Sequence, residues 1–255
     1  MTKFNLNADM AEGYGAWQMG NDTALLEIIQ TANIACGFHA GDYHIMGEVM
    51  AQAAQSGVSV GAHPGFYDLH GFGRRRLDLS HAEVERLIAY QLGAALAVGE
   101  LVSAPVTHIK PHGALNNMAC ADRPLADAIV RAIIAVDKSV ILLAPVLSDL
   151  YQAGVDAGMT VAAEIFADRA YMPDGQLVPR SRSDAMIHDK DEALAHCIRM
   201  CAENEILCVD GSILKIQADS VCVHGDGPNA VEIAKFILQG LKDAGLEPAP
   251  LPALF

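Results

Sequence analysis

Residues 106–117 read VTHIKPHGALNN. A β-prone run carries His108, Lys110 and His112 at alternate positions and closes on Pro111 and Gly113. Side chains alternate faces along a strand, so the three polar groups share one face while Thr107, Ile109 and Pro111 share the other. In a closed barrel one of these faces fills the interior and the other meets the surrounding helices. Lys110 and His112 then reach the C-terminal end of the strand, where the Pro-Gly kink bends the chain away. His108 lies deeper on the same face and is expected to be structural, hydrogen-bonded within the barrel.

The same division recurs outward from this strand. Phe4, Leu6 and Ala8 oppose Asn5, Asn7 and Asp9; Val58, Val60 and Ala62 oppose Ser59, Gly61 and His63. Val161, Ala163 and Ile165 oppose Ala162, Glu164, Phe166 and Asp168, and Val221 and Val223 oppose Cys222, His224 and Asp226. Further strands are expected over 32–36 and 140–143. Helical periodicity follows most strands, with starts near Asp22, Tyr43, Ser80, Asp122, Pro145, Asp189 and Pro228. Ser80 and Glu83 have the spacing of a capping box. Alternating β and α units predict a parallel sheet under helices. Seven of them in 255 residues fit a single irregular seven-stranded (β/α) TIM-like barrel covering 1–255, with a doubly wound sheet as the alternative. MPDGQLV (172–178) and VDGSILKI (209–216) read as hairpin insertions before the last strand. Unpaired ionisable groups inside such a barrel would cost several kcal/mol each. They are therefore expected to converge at the C-terminal mouth, where barrel enzymes place their chemistry.

Bulk properties narrow the function. Hydrophobic residues make up 52%, enough for a large core, and the formal net charge is −14 from 31 acidic and 17 basic residues. That balance opposes nucleic acid and anionic membrane as partners. The one basic run, Arg74 to Arg76, reads either as a solvated loop or as an anion contact. There is no apolar run of membrane-spanning length, and MTKFNLNADM lacks a signal-peptide core, so a soluble cytoplasmic protein is expected. The six cysteines form no C-x-x-C pair and read as buried thiols in a reducing compartment. The sequence contains neither a Walker-type phosphate loop nor a G-x-S-x-G elbow. Gly225-x-Gly227-x-x-Ala230 imitates a dinucleotide fingerprint without the following strand and acid that would complete it.

The polar groups gather in short motifs at the predicted strand ends. NADMAEGYG (7–15) supplies Asn7, Asp9 and Glu12, suited to acid–base work or a divalent cation; the alternative is helix capping. NIACGFHAGD (33–42) supplies His39 and Asp42, and GAHPGFYDLHGFGRR (61–75) places His63 at the head of a long glycine-rich loop. His70 and His81 are expected at the surface. EIFADRAY (164–171) adds Glu164, Asp168 and Arg169, readable as a base with an orienting partner or as a structural ion pair. Acids, imidazoles and Lys110 together point to proton transfer and water-mediated hydrolysis.

These motifs, with HIKPHGAL, LVPRSR and VCVHGDGPNAVEIAK, resemble the LamB/YcsF family over residues from about 4 to 240. The resemblance implies a barrel akin to the glycoside hydrolase/deacetylase superfamily. It also implies ATP-dependent opening of the lactam 5-oxo-L-proline to L-glutamate, with 5-oxoprolinase B and C subunits as partners through which ATP is used. On that reading Asp9 or Asp168 is the base, His63 and His112 shuttle protons, and Lys110 with a backbone N–H near Gly113 steadies the oxyanion. Asn7, Glu12, His39, Asp42, Arg169, His224 and Asp226 are expected to contact substrate. A rival reading from the superfamily makes Asp9, His63 and His112 ligands of one divalent cation in a stand-alone amide hydrolase or deacetylase. A third is a non-catalytic lactam- or carbohydrate-binding component. The chain departs from the family pattern at Asn5, Ala11, Asn116, Ser183, Asp184 and Gly227, departures expected to bear on substrate fit.

Overall fold

The computed structural model describes residues 2–223 and 229–255. The strands in chain order are β1 (Thr2–Met10), β2 (Thr31–Ala35), β3 (Ser59–His63), β4 (Val106–Ile109), β5 (Ile141–Pro145), β6 (Val161–Phe166), β7 (Glu205–Leu207), β8 (Ile213–Lys215), β9 (Ser220–Val223) and β10 (Leu246–Pro248). β1 to β6 pair in sequence, all parallel; β9 pairs with both β6 and β1 and closes a seven-stranded barrel. β7 and β8 form the antiparallel hairpin expected at the second Asp-Gly turn, and the Tyr171–Leu177 bridge forms the first. β10, which has no counterpart in the expectations, adds in parallel to the start of β1.

The helices are α1 (Asp22–Leu26), α2 (Tyr43–Gln55), α3 (His81–Leu101), α4 (Gly113–Ala119), α5 (Arg123–Asp137), α6 (Asp149–Asp156), α7 (Lys190–Ala202) and α8 (Ala230–Asp243). Local chemistry sets their starts. The Ser80–Glu83 capping box opens α3, and the Asp122 side chain caps α5 with Pro in its first turn. α6 begins later than Pro145, which stays in the strand; Ser148 accepts from the Tyr151 N–H and caps the helix. Among the described residues no helix is long and apolar enough to cross a membrane. All six cysteines are free thiols.

The apolar faces of the strands pack under the helices in one large core, as parity predicts. The interior differs from expectation. Its polar groups are not confined to the mouth but run along the barrel from its N-terminal end. Asn5 donates to Thr31 Oγ1 (2.7 Å), Ser220 donates to Asn5 Oδ1 (2.6 Å), Asn7 donates to Ser220 Oγ (2.8 Å) and Asn33 donates to Asn7 Oδ1 (2.8 Å). Each group satisfies the next, which removes the penalty expected for polar groups there. Beside this ladder Ile141, Leu143 and Ala162 form a small apolar cluster capped by Leu251, and the C-terminal segment bonds to the floor through Asn5–Ala249 (2.9 Å) and Leu251–Thr31 (3.2 Å). Asn5 therefore serves the barrel floor rather than substrate fit, and both donor bonds of its amide are ones a carboxylate could not make.

His108 is structural, as expected: it is fully buried and bonds through Nε2 to Asn33 Oδ1 at 2.9 Å. Its ring lies over Gly61, where a Cβ would meet ring atoms at 2.2 Å. A side chain at 61 is excluded by that close approach.

Candidate active site

The mouth of the barrel opens into a cavity of about 410 Å³, lined among others by Asp9, Glu12, His63, Lys110, His112 and Phe166. Each comes from the end of a strand or the loop just beyond it, which is why strand parity could find them. Lys110 is the hub. Its Nζ lies 2.9 Å from Asp9 Oδ1, 2.8 Å from Glu164 Oε1, 3.3 Å from Asn7 Oδ1 and 3.2 Å from Cys222 Sγ. Burial alone would depress the Lys110 pKa, but the Asp9 and Glu164 carboxylates beside it outweigh that and hold it well above the ordinary lysine value. Asp9 is largely buried, yet His63 and Lys110 hold its carboxyl well below the usual range. Burial pushes Glu164 up against the pull of Lys110. An ammonium has three N–H groups and four acceptors surround this one, so no N–H is left over for a developing oxyanion.

The imidazoles form the second layer. His63 Nδ1 lies 2.7 Å from the Lys110 carbonyl and His112 Nε2 lies 2.8 Å from the Phe72 carbonyl. A carbonyl only accepts, so both of these nitrogens carry hydrogen and donate. The remaining nitrogens, His63 Nε2 and His112 Nδ1, face each other at 2.9 Å, with Asp9 Oδ2 3.3 Å from His63 Nε2. Two neutral rings would set lone pair against lone pair across that gap. A shared proton or a cation relieves the conflict. His39 stacks flat on His112, with ring centroids 3.7 Å apart, and its Nε2 lies 3.3 Å from Glu12 Oε1. Burial, reinforced by the neighbouring imidazoles, keeps His39 well below the ordinary histidine value and His112 at about 3. The stack needs Gly73, whose φ of +61° is left-handed and whose missing Cβ would lie 2.6 Å from His39 Cβ.

Other expected site residues fall elsewhere. Asn7 sits below the cavity and supports Lys110 and Asn33. Asp42 is a helix cap: its Oδ1 accepts from the His44 and Ile45 N–H groups of α2, and its Oδ2 from Gly15. Asp168 is not a lining residue; β6 ends at Phe166, and in the turn beyond it the Asp168 charge acts on His196 and Cys197 of α7. Strand parity does not extend past the strand, so it does not carry Asp168 to the cavity wall. Arg169 does line the cavity, together with Arg74, Arg180 and Asn116. His70 and His81 are exposed. Ala11 takes a left-handed backbone (φ 59°) in the buried turn after β1, and Ser183 and Asp184 are exposed away from the cavity lining. His224, Asp226 and Gly227 lie outside the described residues. Glu164, readable from sequence as a base or as a member of a structural ion pair, pairs with Lys110 beyond the end of β4.

The metal-ligand set also changes. Glu12, His39, His63 and His112 each offer one donor atom, and these atoms lie within 4.8 Å of one another. Asp9, expected among the ligands, directs Oδ1 to Lys110 and Asn33 instead. A tetrahedral site with bonds near 2.1 Å needs donors about 3.4 Å apart. The separations of 2.9 Å (His63–His112), 3.3 Å (His39–Glu12) and 3.8 Å (His112–Glu12) bracket that geometry closely enough to fit. The carbonyl bonds on the outer nitrogens of His63 and His112 are those expected behind metal-bound imidazoles.

A protein from Rhodopseudomonas palustris (strain BisB18), named as the A subunit of 5-oxoprolinase, is 51% identical over 251 residues, covering 98% of each chain. The crystal structure of a lactam utilization protein from Thermus thermophilus superposes with a TM-score of 0.91 at 41% identity, covering 97% of this chain and 99% of that one. A deacetylase with bound substrate, T48, shares the fold alone, with a TM-score of 0.51 at 12% identity over 100% of this chain and 90% of its own. The pattern of the LamB/YcsF family matches residues 4–254, from the first strand that carries Asp9 to the segment that seals the barrel floor, and the chain belongs to that family.

Proposed function

We propose that this chain is the A subunit of an ATP-dependent 5-oxoprolinase and carries the site at which the lactam ring is opened by water. The observation that carries the reading is the Asp9–His63–His112 chain at the cavity wall, with Asp9 held anionic by Lys110. A buried anion behind an imidazole pair favours the state in which that pair has taken a proton, as a general base must. In this scheme the His63–His112 pair removes a proton from water, Asp9 stabilises the charged pair, and the proton returns to the ring nitrogen as the C–N bond breaks. Resonance in the lactam and reclosure by the tethered amine oppose hydrolysis, so an input of free energy is needed. The sequence has no phosphate loop of its own, which supports activation by ATP on B and C subunits in a cytoplasmic complex.

The same donors support an alternative to that relay, because a lone pair of His63 Nε2 or His112 Nδ1 given to a metal cannot take a proton. A divalent cation held by Glu12, His39, His63 and His112 would relieve the facing lone pairs and would supply Lewis-acid activation of water. Metal analysis of the purified complex, with activity measured after chelation and re-addition, tests it; full activity in a metal-free complex refutes it.

The main test co-purifies the chain with its B and C partners and follows 5-oxoproline-dependent ATP cleavage and glutamate release. The isolated chain should be nearly silent. Asp9→Asn and His112→Ala should each lower glutamate release by roughly 10²–10⁴-fold. Wild-type rates in both variants would sink the assignment.

A further inference from the structure

One face of α4 borders the cavity. Gly113, Asn116, Asn117 and the C-cap Cys120 have the i, i+3, i+4, i+7 spacing that sets residues on one side of a helix, and all four line the opening. Asn117 is exposed. Asn116 is only 6% exposed and stands one turn beyond His112, whose carbonyl accepts the Asn116 N–H at 3.3 Å.

Among the described residues the other buried carboxamides all use their donors. Asn5 donates to Thr31 and Ala249, Asn7 to Ser220, Asn33 to Asn7 and Asp9, and Gln91 to Gly65 and Leu87; none of the four lines the cavity. The Asn116 side chain differs. Its Nδ2 donates to nothing among the described residues, and its Oδ1 meets only the Cys120 thiol, a weak donor, at 3.9 Å. A buried amide with unspent donors is costly until a ligand takes them up. Nor is this nitrogen sealed in: the enclosed polar atoms without a partner belong to Gln30, His39 and Glu164. Asn116 Nδ2 is therefore open to the cavity that its residue lines.

A five-membered lactam holds its amide cis, so its N–H and C=O project from one edge, donor beside acceptor. A carboxamide carries the complementary pair at the same spacing. A carboxylate offers only acceptors and an ammonium only donors, so neither makes both bonds, and Lys110 has no N–H to spare. We propose that Asn116 recognises the lactam edge, with Oδ1 accepting from the ring N–H and Nδ2 donating to the lactam oxygen, and so holds the ring amide beside the His63–His112 pair. The proposal rests on the ring-opening reading for the identity of the ligand. It makes Asn116 a specificity-determining residue that selects cyclic amides over rings of the same shape that lack the N–H. The expectation that Asn116 bears on substrate fit thereby takes the form of two defined hydrogen bonds.

The test is calorimetric titration of the full-length chain with 5-oxo-L-proline and with two analogues that keep its ring size, carbonyl and carboxylate: the lactone, in which oxygen replaces the N–H, and the cyclopentanone, in which CH₂ does. The wild-type chain should bind 5-oxo-L-proline roughly 10- to 100-fold more tightly than either analogue. Asn116→Ala should weaken 5-oxo-L-proline by about the same factor and level the three affinities. Asn116→Asp, close in shape, still accepts from the ring N–H but sets a carboxylate against the lactam oxygen, and it too should bind 5-oxo-L-proline about tenfold or more weakly. The ratio of affinities does not depend on how much protein is folded. Asn116→Ala should also keep the wild-type Tm, because the amide it removes holds nothing else in place. Equal binding of the lactam and its analogues by the wild-type chain, a lactam preference that survives in Asn116→Ala, or no binding of 5-oxo-L-proline at millimolar concentration overturns the proposal. Failure of the hydrolysis reading would be seen separately, as undiminished turnover by Asp9→Asn and His112→Ala complexes with the Asn116-dependent lactam preference intact.

Discussion

Replacing Lys110 by methionine isolates the electrostatic hub. Methionine keeps most of the side-chain volume, so the loss is charge rather than packing. Lys110 is 3% exposed, and its ammonium stands within 3 Å of both Asp9 Oδ1 and Glu164 Oε1. Removing one partner of a buried ion pair leaves the other uncompensated, at a cost of about 3–5 kcal/mol. Two carboxylates lose their partner here, so the upper half of that range is expected. Glu164→Gln alone leaves Lys110 paired to Asp9 and should cost about 1–3 kcal/mol. The double variant no longer holds the fully buried Glu164 charge, so its loss should fall short of the sum of the singles by about 1–3 kcal/mol. Urea unfolding at pH 7, followed by far-ultraviolet circular dichroism, gives all four corners of the cycle. If Lys110→Met loses less than about 1 kcal/mol, or the singles add within about 0.5 kcal/mol, Lys110 is not the compensating charge described above. The double variant should also stay inactive in the reconstituted complex, because Asp9 has lost the partner that orients it.

Three further outcomes follow from single contacts. His108 is buried neutral with its pKa lowered to about 3 from 6.5, so the unfolded chain takes up its proton first as pH falls; stability from this group is present above pH 6.5, is lost between there and about pH 3, and amounts to about 4–5 kcal/mol at most. Unfolding measured from pH 7 to pH 4 should show that slope, and His108→Gln should flatten it. Gly61→Ala forces a methyl group into the His108 ring and should cost about 1–3 kcal/mol, a fall of several degrees in Tm by calorimetry. Asp42→Ala should remove about 1 kcal/mol through loss of the α2 cap while leaving the KM of the complex for 5-oxoproline unchanged; a raised KM would return Asp42 to the site.

The barrel and half of its site were legible because a strand has a rigid period. Asp9, His63 and Lys110 stand at or just beyond strand ends, and one parity rule places all three. The rule fails where the strand does. Asp168 lies two residues past β6, off the lining of the cavity. The stacking of His39 on His112 depends on the path of two loops and on the close approach at Gly73, information that no local period contains. Asp42 was misread because a cap and a ligand share the same residue type, and only the N–H groups facing its oxygens distinguish them. The seal formed by residues 249–251 was invisible for a related reason: its bonds to Asn5 and Thr31 join positions more than 200 residues apart.

The polar interior then acquires a purpose that a well-packed aliphatic barrel could not serve. From the floor upward, Ser220 and Asn33 fix Asn7, Asn7 and Glu164 fix Lys110, Lys110 and Asn33 fix Asp9, and Asp9 faces His63, the first ring that reaches the cavity. The links below Asp9 are buried, and Asp9 Oδ1 is held by both Lys110 and Asn33, which resists rotation of the carboxylate as charge moves onto the imidazoles. Stabilisation of that charge is therefore built before the substrate arrives, the condition under which a fixed dipole or ion lowers a barrier without reorganising. On this view the asparagines of the barrel belong to the catalytic apparatus through Asp9. Substituting Asn33, which is not among the residues lining the mouth cavity, should lower kcat rather than raise KM.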